Sequence, residues 1–110
     1  MQKQFRLKRR SAFNYVYRKG EKSSARNLLL LYTKSRNGIK IGISVSKKVG
    51  GAVVRNRVKR LIREGVNTIL PQIKSGYTYV IVAKSTAAEC DYYAITEDVK
   101  DIFEKAGKLC

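Results

Sequence analysis

The stretch Ile39-Lys40-Ile41-Gly42-Ile43-Ser44-Val45-Ser46-Lys47-Lys48-Val49-Gly50-Gly51-Ala52-Val53-Val54-Arg55-Asn56-Arg57-Val58-Lys59-Arg60-Leu61-Ile62-Arg63-Glu64 changes its period halfway along. In its first part Ile39, Ile41, Ile43 and Val45 alternate with Lys40, Gly42, Ser44 and Ser46. A period of two is that of a strand with one apolar face. Beyond the glycine pair, Val54, Val58, Leu61, Ile62, Val66 and Ile69 recur at helical spacing. That pattern predicts a long amphipathic helix from about Val53 to Ile69, ended by Pro71. Gly65 costs such a helix about 1 kcal/mol relative to Ala, so a bend or an early end is expected there.

On the N-terminal side, Ser11 reads as an N-cap and Gly20 as a stop for a short helix, with Phe13, Val16 and Tyr17 on one face. Leu28 to Thr33 reads as a strand, and Arg36-Asn37-Gly38 as a turn carrying the Asn-Gly hairpin signal. On the C-terminal side, Tyr77 to Lys84 reads as a third strand. Asp91 caps a last helix whose core face is Ile95, Val99, Ile102, Phe103 and Ala106. The expected order is α-β-β-α-β-α. This is one domain over residues 1–110, an α+β two-layer sandwich of a small sheet with helices packed on it.

Charge points to the partner. The chain has 24 Lys and Arg against 8 Asp and Glu and no histidine, a net charge of +16. Apolar residues make up 44% of the chain, enough for a packed core, so the charge does not signal disorder. A compact body this cationic repels itself unless a polyanion neutralises it, and nucleic acid does so with release of counterions. Residues 1–88 carry 21 basic and 2 acidic side chains, whereas residues 89–110 carry 3 and 6. The C-terminal segment is expected to face away from the polyanion.

Several classes are excluded. Without histidine there is no Ser-His-Asp or Cys-His arrangement and no imidazole metal ligand. Asp98 and Asp101 lie one helical turn apart, which reads better as a solvated face than as a metal site. Gly50-Gly51 beside Lys47-Lys48 lacks the Gly-Lys-Ser/Thr ending of a phosphate-binding loop. Cys90 and Cys110 form no CxxC pair, consistent with a reduced, cytoplasmic setting. Met1 to Arg10 leads into no apolar signal region, and Leu28 to Tyr32 is too short to span a bilayer. No membrane role is expected, and no obligatory protein partner.

The helix stands apart. Arg55, Asn56, Arg57, Lys59, Arg60 and Arg63 occupy successive turns, opposed only by Glu64. A solvated helix face normally mixes signs, whereas crowded like charges destabilise it, so a polyanionic partner is favoured. Arginine's planar fork suits phosphate oxygens and stacks on bases.

This run resembles the Arg-Asn-Arg signature of the protein subunit of bacterial ribonuclease P. Phe5-Arg6-Leu7-Lys8, then Phe13-Asn14-Tyr15-Val16-Tyr17 and Gly20, are similar to that family's N-terminal helix region. Gly42-Ile43-Ser44-Val45-Ser46-Lys47-Lys48 is similar to its central strand, and Val80-Ile81-Val82-Ala83-Lys84 to its last strand. The resemblance implies that the motif helix joins two parallel strands by a left-handed crossover, against the usual hand. It implies removal of the 5′ leader from precursor tRNA by a catalytic RNA using magnesium, held mainly by the RNA subunit and the substrate. It implies no catalytic residues in this chain and no metal ligands of its own. Arg55, Asn56, Arg57, Lys59, Arg60 and Arg63 would dock on the RNA subunit. Phe13, Tyr17, Ser44 and Ser46 would line a cleft for the leader, with Lys47, Lys48 and Lys84 as phosphate contacts. On amphipathic pattern alone Phe13 and Tyr17 read as core. A small ribosomal protein would share the charge and size but not the aromatic helix combined with the full motif. A stand-alone ribonuclease would ordinarily need a histidine or a carboxylate cluster on the basic surface.

Overall fold

The computed structural model describes residues 3–36 and 38–110; Met1, Gln2 and Asn37 lie outside the described residues. Three α-helices and four strands are found among them: α1 (Arg10–Lys19), β1 (Glu21–Ser24), β2 (Leu28–Lys34), β3 (Ile39–Ser44), α2 (Ala52–Ile69), β4 (Tyr77–Ala83) and α3 (Tyr92–Lys105). The strands form one mixed sheet in the order β1-β2-β4-β3, with β3 parallel to β4 and the other pairs antiparallel.

The change of period at Ser46 is the hinge of this architecture. Strand β3 runs into α2, and α2 returns the chain to β4 alongside β3. Val58, Leu61, Ile62, Val66 and Ile69 of α2 are buried against one face of the sheet, with Val54 partly buried beside them. Each fully buried aliphatic side chain contributes about 1.5–3 kcal/mol of transfer free energy. The last helix joins the same core through Ile95, Val99, Ile102 and Phe103, all fully buried. Asp91 caps it as expected, its carboxylate accepting from Ala94 N at 2.9 Å. The opposite face of the sheet carries Leu31 and Val80, covered by Val16 of α1 with Leu7 and Phe13 packed beside it.

The structure departs from the sequence reading at four places. Gly65 neither bends nor ends α2, which runs on to Ile69. A Cβ on Gly65 would meet Val99 Cγ2 at 3.2 Å and the Thr96 Cα at 3.4 Å, so the glycine lets α2 and α3 approach closely at this point. Ser11 is not an N-cap: α1 starts at Arg10 behind an extended Arg9, and no side chain caps it. The chain reaches that point pinned to the sheet edge, Leu7 N donating to Ile41 O at 3.0 Å, and this contact sets where the helix can begin. The Asn-Gly signal does not make a hairpin. Asn37 itself lies outside the described residues, but β2 and β3 each pair with β4, which lies between them. Strand β4 is buried on both faces at Tyr79, Val80 and Ile81, so it takes the centre and displaces β3 to the edge. Finally, β1 has no counterpart in the expected order. Its Glu-Lys-Ser-Ser sequence lacks apolar alternation, and it is a strand because it pairs with β2.

Candidate nucleic-acid interface

Strand register and one glycine build the cleft. Ser44 stands beside Val82 on the face of the sheet that α1 covers. One step back on that face is Gly42, and the Phe13 ring lies where a side chain at residue 42 would be. Phe13 is therefore half-buried: it packs with Val16, Leu31 and Val80, and its remaining edge borders a cavity of about 330 Å³. Lys8, Arg10, Phe13, Asn14, Tyr17 and Ser44 line that cavity, and no carboxylate does. Tyr17 is 43% exposed, so its ring is presented to solvent rather than spent on the core.

The structure thus brings Phe13, Tyr17 and Ser44 together. Ser46, Lys47 and Lys48 are exposed in the turn after β3, outside the residues that line the cavity. Lys84 is committed elsewhere, its ammonium donating to Ser24 Oγ at 2.6 Å and to Ala25 O at 2.7 Å. Lys8, Arg10 and Asn14 were missed as site residues. Their signal was available: Arg10, Asn14 and Tyr17 fall at i, i+4 and i+7, on one flank of the helix.

On α2 the six motif side chains are placed in four different ways. Asn56 and Arg60 are exposed. Lys59 and Arg63 lean toward β3 and, with Arg6, border a second hollow of about 100 Å³ that also touches Phe13, so the two candidate surfaces adjoin. Arg55 Nε is buried without an acceptor. Arg57 turns inward, its guanidinium donating to Cys90 O at 3.0 Å and to Ala88 O, which ties α2 to the turn Ser85–Glu89. Among the described residues the one ion pair is Lys105–Asp101 at 3.0 Å, so the cations of α2 have no carboxylate partner. A face of this kind gains when a polyanion docks on it.

In the acidic segment, α3 packs directly against α2 through Val99 and Thr96 at Gly65. Asp98 accepts from Asn27 N at 2.9 Å and Asp101 pairs with Lys105, so both carboxylates serve the fold. Cys90 and Cys110 are free thiols, and burial, reinforced by the Asp98 and Asp91 carboxylates, pushes the Cys90 thiol up. Among the described residues, no group of three or more Cys, Asp or Glu side chains is placed to hold a metal ion, and no helix is long and apolar enough to cross a membrane.

Comparison with known proteins identifies the family and the fold. The sequence pattern of the ribonuclease P family matches residues 1–107. The ribonuclease P protein component of Bacillus cereus strain Q1 is 36% identical over 109 residues, spanning 97% of this chain and 95% of that protein. The structure of the Staphylococcus aureus RNase P protein superposes with a TM-score of 0.88 at 27% identity, covering 96% of this chain and 98% of that one. The RNase P protein from Thermotoga maritima has the same fold, with a TM-score of 0.78 at 24% identity over 86% of this chain and 91% of that one. A match of pattern and fold along nearly the whole length leaves one assignment: the chain belongs to the ribonuclease P protein family.

Proposed function

We propose that the chain binds a catalytic RNA through α2 and holds the 5′ leader of precursor tRNA in the cleft at Phe13. The observation that carries this reading is the meeting of Phe13, Tyr17, Ser44, Lys8 and Arg10 around a cavity without carboxylates, next to a helix face whose cations have no acidic partner. The chemistry suits single-stranded RNA. Rings stack on bases at about 1–3 kcal/mol each, while the cations follow the phosphates. The Ser44 hydroxyl can donate to or accept from a base or a ribose. Asn56, Lys59, Arg60 and Arg63 are the side chains on α2 best placed to meet the RNA subunit, with Arg55 beside them. Arg57 supports them by holding the helix in position.

Magnesium supports leader hydrolysis in this reading. In it the ion is held mainly by phosphates of the RNA subunit and the substrate. The chain contributes binding and positioning. It lowers the concentration of magnesium needed by neutralising phosphates that the ion would otherwise have to screen. It acts in the cytoplasm and needs no further protein.

The test is cleavage of precursor tRNA at low magnesium and moderate salt by the RNA subunit alone, the protein alone, and both together. Efficient cleavage only by the mixture is the expected result. An RNA activity unchanged by the protein would overturn the assignment.

A further inference from the structure

Helix α1 crosses the sheet above the middle of three side-chain rows, leaving a row on either side of it. Leu31, Val80 and Gly42 form the middle row, beneath Val16 and Phe13. On one side lies Leu29-Val82-Ser44, whose Ser44 end borders the leader cleft. On the other lies Thr33-Thr78-Lys40, polar throughout. Above this second row is a cavity of about 670 Å³, larger than the leader cleft. Arg6, Lys8, Arg9, Lys40 and Thr78 line it, and again no carboxylate does.

We propose that this second trough holds the part of the single-stranded RNA leader farther from the cleavage site, so that the leader wraps the N-terminal end of α1. The inference rests on the reading that the cleft at Phe13 takes the nearer leader nucleotides. Lys8 lines both cavities, so one strand can pass between them without losing cationic contact. Arg6 Nε, on the cavity wall, is buried with no acceptor, and a phosphate oxygen is the acceptor it fits best. Lys8, Arg9 and Arg10 crowd the start of α1, which has no side-chain cap and no acid in its first turn. Cations there oppose the helix dipole, and a passing phosphate relieves both. Tyr15 follows the cavity-lining Ala12 by three residues, on the same flank of α1, and is 49% exposed. Unlike Tyr17 at the first cleft, it does not line the cavity itself. Its exposed ring lies beyond the rim on the side of Ala12, where a base leaving the trough can stack. An acidic peptide would answer the charges but gives no role to that ring.

The experiment uses the holoenzyme reconstituted with its RNA subunit and two precursors, with leaders of about four and about twelve nucleotides. Arg9→Gln with Tyr15→Ala alters two exposed side chains and leaves the fold intact. This variant is expected to lose roughly tenfold in affinity for the long-leader precursor and to bind the short-leader one as before. Equal losses on both, or none on either, would overturn the proposal. Phe13→Ala in parallel reports on the first cleft alone. If it affects neither precursor, the reading of that cleft fails, while the long-minus-short difference still judges the second trough. Polyglutamate competing with the long leader as strongly as oligouridylate does would reassign the trough to an acidic protein partner.

Discussion

The ring of Phe13 lies against the backbone of Gly42, so that a Cβ at residue 42 would overlap the ring and stand 3.2 Å from Leu7 Cδ2. This contact seats α1 on the sheet and holds Phe13 half inside the second core cluster and half at the cleft. An aromatic ring fixed in this way can stack on a base without losing further side-chain freedom.

Gly42→Ala is therefore expected to push Phe13 outward and to destabilise the fold by about 1–3 kcal/mol, as overpacking does. Precursor binding should weaken while binding of the RNA subunit by α2 is retained. Thermal melting together with the two titrations checks this. An unchanged melt would show that the ring moves aside freely.

Arg57 and Arg60 are three residues apart on α2 but do different work. Arg57→Ala removes the donors to Ala88 O and Cys90 O and is expected to cost about 1–3 kcal/mol in urea unfolding. Arg60 is exposed, so Arg60→Ala should leave unfolding nearly unchanged and weaken RNA-subunit binding. If the two variants unfold alike, the inward tie of Arg57 carries no stability.

Gly65→Ala sets propensity against packing. The helix gains about 1 kcal/mol, but the new methyl meets Val99 and the Thr96 backbone, and a backbone atom cannot rotate away. A net loss of roughly 1 kcal/mol is expected. Adding Val99→Ala should cost less in the Gly65→Ala background than in the wild-type chain, and a double-mutant cycle measures that coupling.

Binding to RNA is expected to fall steeply with salt. With about six to eight phosphate contacts, log K against log salt should have a slope of about −4 to −7. A slope shallower than about −2 would mean that the cations of α2 and the cleft are not on phosphates.

Burial, helped by Tyr77, pushes the Tyr79 hydroxyl far above the ordinary tyrosine range, and it donates to Lys74 O at 2.7 Å. The folded state thus holds this proton more tightly than the unfolded chain. Its stabilising effect is complete below about pH 10 and is lost as pH rises further. Tyr79→Phe is expected to flatten that alkaline decline in a pH series of melting temperatures.

Much of this protein was legible in its sequence because the relevant signals are local. The alternation from Ile39 to Val45, the apolar stripe from Val58 to Ile69 and the Asp91 cap each depend on residues within a few positions of one another. The excess of cations and the acidic C-terminal segment likewise needed no coordinates. What only tertiary structure decided involves contacts between residues far apart in the chain. Strand β4 lies between β2 and β3 and is fully buried on both faces at Tyr79, Val80 and Ile81, which no turn signal at Asn37 could reveal. Gly65 looks like a weak point in a helix until Val99 is seen against it. Arg57 shares a motif with Arg60, yet the carbonyls of Ala88 and Cys90 turn it inward. Residue order sets which side chains can line one face, but register and packing decide which of them still have a free atom to offer a ligand.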